Sequence, residues 1–496
     1  MLSPNIRREI FLQATDSRFQ RTSSRVEPHN VSPYLRYTPQ GHPIPYPPYC
    51  AVSDNSNLRS PINVLPPELL SQIFISCISM EGRPWLDNRS MTLSHVCASW
   101  RALSLSLSAL WSTIILGRGR CSPNKSNRYL RMWLERSRGR PLKIFFPHNT
   151  HSSMIQVIIS YIHRCDELII DLDSDATARV ALRIPLTQAA LLHTLAIRTS
   201  ECRLETLDEL CALVRLAPDI RQLDWNDRRC FIPGTLLNYQ WCQLSRITIA
   251  GPLSLEQFYL LQRSPNLEYI EADIDLAPSL AIPSPIKHPK LSSLKVHSYR
   301  YDFSALLDIL TLPSLHTLHL TSRSKPDSPR VHTALENMLT RSGCKLEALT
   351  LDFALERDIV ACITCPSLRF LREVYLTSCD NIGHATVERL FLPPEPSTQY
   401  IAILPRLSKL SLSSCLTPDG MLAEIVVSRW RRPAFRQDDG VIIQPAQLSF
   451  VSINFWHCSE PGRRTQEHDI DNRVFEALIK EGLDIRRLWI FRLLPL

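Results

Sequence analysis

From about residue 140 onward, the chain repeats one short pattern of apolar positions: an apolar residue, two others, an apolar residue, one other and a final apolar residue. The last two apolar positions of each copy are two residues apart, as one face of a β-strand requires. The copies are Leu192-Leu195-Ile197, Ile220-Leu223-Trp225, Leu244-Ile247-Ile249, Leu291-Leu294-Val296, Leu315-Leu318-Leu320, Leu346-Leu349-Leu351, Leu371-Val374-Leu376, Leu407-Leu410-Leu412, Leu448-Val451-Ile453, Ile485-Leu488-Ile490 and the weaker Leu267-Ile270-Ala272. Their first positions lie 23 to 31 residues apart as far as Leu371 and 36 to 41 apart beyond it.

Helical stretches are predicted between these strands. Leu207, Leu210 and Val214, for example, share one helical face. Three stretches open with a capping box, in the pairs Thr206–Glu209, Ser254–Gln257 and Thr333–Glu336. Prolines two residues before the next strand pattern end the helices, at Pro218, Pro265, Pro289, Pro313 and Pro405. A strand–helix unit of this size cannot bury its apolar face alone, so the stacked copies predict one continuous core in an α/β fold.

This repeat resembles the leucine-rich repeat. Most of the early spacings fall in that family's range of about 20–29 residues, and two copies continue to Cys379 and Cys415 as in the cysteine-containing subtype. The other copies have no Cys or Asn at that position, which leaves the subtype and the curvature open. The resemblance implies a leucine-rich-repeat solenoid (horseshoe) over residues 141–496, with its strands along the concave face.

The polar residues between the strand leucines would then point out from that concave face, because side chains alternate along a strand. We expect this face to bind a protein substrate, with its Tyr and Trp residues as anchors. The residues expected to face the substrate are Arg198, Asp224, Arg246, Tyr269, Glu271, Lys295, His297, His319, Asp352, Tyr375, Lys409 and Trp489.

A pattern with helical spacing precedes the repeats. In the stretch Leu65-Pro66-Pro67-Glu68-Leu69-Leu70-Ser71-Gln72-Ile73-Phe74, the prolines fit the first turn of a helix and the apolar residues form one face. A second amphipathic helix is predicted over 94–103, with Val96, Cys97 and Trp100 on its face, and Leu110-Trp111 ends the segment. A segment of about fifty residues is too small for a large core, so its leftover apolar surface needs a partner or a neighbouring domain.

Taken in this order and spacing, these motifs resemble the F-box. The resemblance implies a small three-helix module over residues 61–116 whose apolar face binds a Skp-type adaptor and, through it, a cullin-RING ubiquitin ligase. The contacts would come from residues 65–74 and 93–103. The residues expected to bind the adaptor are Leu65, Pro66, Leu69, Leu70, Ile73, Phe74, Val96 and Trp100.

Two further segments flank the module. Residues 1–60 contain eight prolines and few periodic apolar positions, which predicts a disordered Pro-rich tail. Residues 117–140 are expected to form a basic linker helix, because residues 118–143 contain nine Arg or Lys and one acid, Glu135. One interpretation is that these cations form a patch that binds phosphorylated substrates or nucleic acid. The other is that they belong to an ordinary solvated helix surface.

Composition limits the protein class. The chain of 496 residues has a net charge of +8, and its basic residues are spread along the sequence, which allows an acidic partner but is no nucleic-acid signature. Its 15 cysteines are scattered singly and no secretory signal pattern precedes them, so we expect reduced thiols in a cytoplasmic or nuclear protein. No apolar run approaches the ~20 residues needed to span a bilayer, so no membrane partner is expected.

Motifs of known catalytic or cofactor sites are missing from the sequence. There is no phosphate-binding loop, no H-E-x-x-H and no G-x-S-x-G, and Gly117-x-Gly119 lacks the third glycine of a dinucleotide motif. Cys362 and Cys365 form a lone C-x-x-C without a second ligand pair, which favours two reduced thiols. Cys379 and Cys415 are expected to be buried. We therefore predict no catalytic, metal or cofactor-binding residues.

The expected function is that of a substrate-recognition subunit of an SCF-type ubiquitin ligase, which does no chemistry itself and holds a substrate near a ubiquitin-charged enzyme. One alternative is a protein-interaction scaffold outside any ligase. A second is an enzyme whose site is assembled from residues distant in sequence. Nucleic-acid binding would require a continuous basic stripe along the concave face.

Overall fold

The computed structural model divides the chain into two compact units. The first contains the described residues up to 114 together with 128–140, and the second contains the rest. The structure describes residues 61–79, 89–116, 123–148, 150–227, 236, 241–274, 285–298, 303–322, 330–392, 403–431, 435–436, 442–443, 446–457 and 468–491. The predicted tail at residues 1–60 lies outside these ranges.

The described α-helices occur in both units. In chain order they are α1 Pro67–Ser79, α2 Arg89–Ser94, α3 Ala98–Ser106, α4 Pro123–Arg136, α5 Ser152–Ile159, α6 Asp175–Ala181, α7 Leu204–Val214, α8 Leu255–Leu260, α9 Ser304–Ile309, α10 Val331–Ser342, α11 Glu356–Ile363, α12 His384–Leu390, α13 Met421–Trp430 and α14 Asp469–Lys480.

The described strands begin at residue 113. In chain order they are β1 Thr113–Ile115, β2 Leu142–Phe146, β3 Cys165–Leu172, β4 Thr194–Thr199, β5 Gln222–Asp227, β6 Arg246–Leu253, β7 Tyr269–Ile274, β8 Ile286–Lys287, β9 Ser293–Ser298, β10 Leu310–Thr311, β11 Thr317–Ser322, β12 Ala348–Phe353, β13 Glu373–Ile382, β14 Lys409–Cys415, β15 Phe435–Arg436, β16 Ile442–Ile443, β17 Phe450–His457 and β18 Asp484–Phe491.

Thirteen strands of the second unit, β2 to β18 without the four two-residue strands, lie side by side in chain order in one sheet. From β2 to β18, each described pairing between neighbouring strands of this sheet is parallel. The remaining short strands form two small pairs, β8 with β10 and β15 with β16. The predicted α/β class with regularly spaced strands is confirmed.

The strand leucines stack in register across this sheet. On each strand one buried apolar residue pairs with its counterpart on the next strand, and in every predicted copy except the last this residue is the second apolar position. This ladder consists of Ile144, Leu168, Leu195, Leu223, Ile247, Ile270, Leu294, Leu318, Leu349, Val374, Leu410, Val451 and Ile485. Intervening helices contribute buried apolar residues, such as Leu335 of α10 and Ile359 of α11. One face of each strand is therefore core, and the opposite face is partly exposed.

Two strands differ from the predicted pattern. Strand β3 carries Cys165, Leu168 and Ile170 at the three apolar positions, and the copy was missed because a cysteine takes the place of the first leucine. In β18, Ile485 pairs with Val451, whereas Leu488 was expected at that register. The last strand is thus three residues out of phase with the prediction.

The first unit has its own apolar core. Phe74 of α1 packs against Trp100 of α3 with ring centroids 4.8 Å apart, and the core is completed by Leu70, Leu93, Leu110 and Trp111. Trp133 of α4 approaches Trp111 edge-on at 5.0 Å, so part of the expected linker helix packs on this core. The second amphipathic helix begins at Ala98 rather than at 94, because the Cys97 sulfur accepts from the Trp100 amide and caps it.

Carboxylates from one repeat cap the next. Asp175 accepts from the Arg203 amide at the start of α7, and Glu356 accepts from the Gly383 and Thr386 amides at the start of α12. Of the three predicted capping boxes, that of Ser254 is present. Helices α7 and α10 begin before Thr206 and Thr333, which therefore lie inside the helices.

Candidate functional site

The partly exposed face of the sheet carries most of the predicted substrate-facing residues. We call this face, formed by the strand residues that alternate with the buried ladder, the polar face. Three lysines on it each pair with a glutamate on a neighbouring strand: Lys143 with Glu167 at 2.7 Å, Lys295 with Glu271 at 2.6 Å, and Lys409 with Glu373 at 2.5 Å. Because cations and anions alternate across these strands, this part of the face has no continuous basic stripe.

The densest group of polar contacts on this face surrounds Glu271 of β7. Its carboxylate accepts a 2.7 Å hydrogen bond from the Tyr269 hydroxyl and forms a 2.6 Å ion pair with Lys295 of β9. Nε2 of His297 lies 3.8 Å from the same carboxylate, beyond hydrogen-bond distance. His297, Lys295 and Tyr269 together hold the pKa of Glu271 well below its usual range, so the carboxylate is ionised at neutral pH.

Tyr269 is held by one contact to its ring and another to its hydroxyl. The Arg246 guanidinium of β6 lies 3.6 Å from the ring centroid, which is a close cation–π contact. Burial and the hydrogen bond to Glu271 raise the pKa of Tyr269 to about 12. The phenol therefore remains a donor throughout the physiological range.

Two histidines extend the group onto β11. The rings of His297 and His319 lie 5.6 Å apart, and Nε2 of His319 is 3.0 Å from the Thr321 hydroxyl. Burial, assisted by the charges of Lys295 and His297, lowers the pKa of His319 to about 4, so its imidazole is neutral at pH 7. We call Arg246, Tyr269, Glu271, Lys295, His297 and His319 the Glu271 cluster.

Asp273 lies on β7, a strand of this cluster, and Asp224 lies on β5, which pairs with β6. Burial raises the pKa of both carboxyls; the charges of Arg198 and Arg246 oppose the rise at Asp224, and the charge of His297 opposes it at Asp273. Both charge signs, a fixed tyrosine and a neutral histidine are therefore present together on β5, β6, β7, β9 and β11. A pre-arranged set of this kind suits recognition of a polar protein surface, because its donors and acceptors are ordered before a partner arrives.

The alternation along each strand places these residues on one face but does not predict that they form a cluster. The strand alignment brings them together, since Arg246, Tyr269 and Ser293 occupy one row of the sheet and Glu271, Lys295 and His319 occupy the next. Thr321, the partner of His319, was missed because an isolated threonine carries no signal in the sequence.

The remaining predicted substrate-facing residues lie apart from this cluster. Tyr375 of β13 donates to Glu373 at 3.3 Å, and Glu373 also binds Lys409 of β14. Arg198 and Asp352 are half-buried on β4 and β12. Trp489 was expected on the polar face. In the sheet it pairs in register with Phe455, and the Phe455 side chain is buried in the core. This mismatch follows from the phase difference in β18.

The predicted adaptor-binding residues fall into two groups in the first unit. Leu70, Ile73, Phe74 and Trp100 are buried, and three of them form the core of this unit. Leu69 is 46% exposed and Val96 is 42% exposed; Pro66 is exposed and Leu65 is half-buried. A rigid partner can contact only the second group, because the buried side chains already contact one another.

The cysteines of the C-x-x-C motif are poor nucleophiles and metal ligands. Cys362 is fully buried in α11, and burial raises its pKa well above the usual value. Burial also raises the pKa of Cys365 to about 12, and its thiol lies 3.5 Å from the His332 carbonyl. Cys415 is buried as predicted, whereas Cys379 is exposed, contrary to the prediction.

One group of possible metal ligands has a structural role. Asp419, His468 and Asp471 place their ligand atoms within 4.8 Å of one another. Both oxygens of Asp419 accept from the Ile470 amide at the start of α14. Asp471 accepts from the Ala423 amide through one oxygen and lies 2.8 Å from His468 through the other. These contacts join the starts of α13 and α14.

Comparison with known proteins adds no family to these observations. The chain matches no protein-family model, and no curated protein matches it significantly. Among the described residues, no helix combines the length and the apolar character that a membrane crossing requires.

Proposed function

We propose that this chain is a substrate-recognition subunit of an SCF-type cullin-RING ubiquitin ligase, acting in the cytoplasm or nucleus. In this proposal the first unit is an F-box and the sheet of the second unit belongs to a leucine-rich-repeat solenoid. The protein does no chemistry itself. It binds a Skp-type adaptor and a protein substrate at once, which raises the concentration of substrate lysines near a ubiquitin-charged enzyme.

The observation that carries the proposal is the division of one motif set between core and surface. Leu70, Phe74 and Trp100 bury themselves in the first unit, while Leu69 and Val96 of the same motifs stay exposed. Leu69 and Val96 are therefore available to a partner, while the rest of the set keeps the small unit folded.

The second unit supports the substrate half of the proposal. Its sheet offers a long polar face with paired charges and a fixed tyrosine at the Glu271 cluster. An extended face of this kind can contact a folded or extended protein at many points. We place the substrate on this face, with Tyr269 and Arg246 as its strongest contacts.

Calorimetric titration of the full chain with a purified Skp-type adaptor tests the proposal. We expect binding by the wild-type chain and at least an approximately tenfold loss of affinity in Leu69→Asp and in Val96→Asp, the usual size of an anchor residue's contribution. Both positions are exposed, so the variants should fold, which circular dichroism and the melting temperature would verify.

The matched control is Leu216→Asp, which places the same charge at an exposed leucine of the second unit. It should bind the adaptor like the wild type. A folded wild-type chain that does not bind would sink the proposal, and so would unchanged affinity in both test variants. Adaptor binding without any ubiquitin transfer in a reconstituted ligase would favour a scaffold outside the ligase.

A further inference from the structure

A group of cations lies at the amino ends of β12, β13 and β14, in the segments that precede these strands. Lys345, Phe370 and Arg406 occupy the same position in three consecutive repeats, directly before the first leucine of each copy. Because the three strands are neighbours in the sheet, these residues form a row with Phe370 in the middle. Arg369 and Arg372 lie within two residues of Phe370 along the chain. We call these five residues the Phe370 patch.

Three cations of this patch contact one aromatic ring. The guanidinium carbons of Arg369 and Arg406 lie 5.0 Å and 5.1 Å from the Phe370 ring centroid, and the Lys345 ammonium lies 5.5 Å from it. All three distances fall within the ~6 Å of a cation–π contact. No two of these cations can therefore be farther apart than twice 5.5 Å. The ring holds three positive charges close to one another.

The positive charge of the Phe370 patch is not neutralised by the described residues. The three cations are exposed, and so is Arg372, and none of the four forms an ion pair within the described ranges. Glu347 at the same edge is exposed and beyond ion-pair distance of them, while Glu336 accepts from the amide and hydroxyl of Ser367. Cations at this spacing repel one another, because it is comparable with the Debye length of about 8 Å at physiological ionic strength. An anionic partner would relieve this repulsion.

The arrangement favours several separate carboxylates over one compact anion. The cations stand around a ring and do not converge on a point, and alternate side chains of an extended peptide are about 7 Å apart. A guanidinium also binds a carboxylate through two parallel hydrogen bonds. Nucleic acid fits less well, because single strands stack their bases on open aromatic faces. The Phe370 ring is half-buried and is already in contact with cations.

We propose that the Phe370 patch binds an acidic segment of a partner protein, with several Asp or Glu residues in an extended conformation. Arg369, Arg406 and Lys345 pair with its carboxylates, and Arg372 adds a fourth cation at the same edge. The contacts with Phe370 order the cations before the partner arrives, which reduces the entropy lost on binding. The patch precedes the strands of the polar face and belongs to the second unit, so this inference does not depend on adaptor binding.

Fluorescence anisotropy of the full chain with a capped octapeptide of alternating Glu and Gly tests the proposal. One matched probe replaces each Glu by Gln and has no charge. The other is a thymidine pentanucleotide, which has as many negative charges as the Glu peptide; all three probes carry the same uncharged dye. We expect the Glu peptide to bind at low ionic strength, more tightly than the oligonucleotide, and the Gln peptide not to bind. Binding of the Glu peptide should be lost in 1 M salt, where the Debye length is about 3 Å.

A double variant tests the location. Arg369→Gln with Arg406→Gln should weaken binding of the Glu peptide at least about tenfold, the combined effect of two exposed ion pairs. The matched control, Arg221→Gln with Arg263→Gln, removes two exposed arginines of earlier repeats and should bind like the wild type. No binding of the Glu peptide, equal binding of the two peptides, tighter binding of the oligonucleotide, or full affinity in the folded double variant would each overturn the proposal. Adaptor affinity should be unchanged in both double variants, so the two proposals fail separately.

Discussion

The Glu271→Gln substitution tests whether the Glu271 cluster is held together by charge. Glutamine keeps the volume and one acceptor oxygen, so the hydrogen bond from Tyr269 can persist while the charge partner of Lys295 is lost. The side chains of Glu271 and Lys295 are 23% and 31% exposed, so solvent screens their 2.6 Å contact only in part. A hydrogen bond between charged groups contributes about 1.5–3 kcal/mol, and the remaining exposure reduces this to about 1–2 kcal/mol.

The same substitution has a predictable pH dependence. The folded-state pKa of Glu271 is depressed, whereas an unfolded glutamate titrates near ~4.3. Its contribution to stability is therefore fully present well above pH ~4.3 and is lost as the pH falls towards the folded-state pKa. The stability difference between wild type and Glu271→Gln should be largest at pH 7 and clearly smaller at pH 3.

The assay is urea unfolding, followed by circular dichroism, of the full chain at both pH values. The control is Glu268→Gln, which removes an exposed carboxylate just before β7 and should change stability by less than about 0.5 kcal/mol. Equal stability of the two variants at pH 7, or a Glu271→Gln difference that does not shrink at pH 3, would refute the reasoning.

Three further predictions concern stability and reactivity. Arg429 is 1% exposed and donates to the carbonyl oxygens of Leu390, Leu404 and Ile403. Arg429→Met should therefore lower the free energy of unfolding in urea by about 3–5 kcal/mol, whereas the control Arg431→Met, at an exposed position, should lower it by less than about 0.5 kcal/mol. Equal losses in the two variants would contradict this prediction. Cys362 should resist alkylation by iodoacetamide at pH 8 because burial raises the pKa of its thiol, while exposed Cys242 should react. Mass spectrometry of the labelled folded chain would measure both, and equal labelling of the two cysteines would count against this. Ser254→Ala should cost about 1 kcal/mol of unfolding free energy through loss of the α8 capping box, and a neutral result would show that packing alone fixes this helix.

The strands were predictable because their signal is periodic. Leu318, Leu349 and Val374 recur at similar spacing, and each alternates with a polar residue, as a strand with one buried face requires. The pattern failed where the residue types did not distinguish the alternatives. At β3 a cysteine occupies a leucine position, and at β18 apolar residues at 485, 488 and 490 fit more than one register.

The contacts between repeats were not predictable in the same way. Thr206 and Thr333 have capping-box sequences, yet α7 begins at Leu204 and α10 at Val331. Asp175 accepts from an amide at the start of α7, from a position 28 residues away in sequence. Local sequence cannot reveal such a cap, because it depends on how the repeats stack.

The candidate surfaces were predictable as faces but not as sites. The alternation along the strands identified Tyr269, Glu271 and Lys295 as outward-facing, but only the alignment of neighbouring strands shows that they contact one another. In the first unit, one amphipathic pattern covers both buried Leu70 and exposed Leu69. Helical periodicity gives a broad apolar face and does not say which part of it the module itself covers.

Amide hydrogen exchange of the full chain, with and without a saturating Skp-type adaptor, tests the proposed function most directly. Exchange reports local protection along the whole chain, so one experiment locates the contact. We expect added protection in peptides covering 65–75 and 95–103, with the strands of the polar face unchanged and available for a substrate. Unchanged exchange in the first unit, or added protection confined to the sheet, would contradict the proposal.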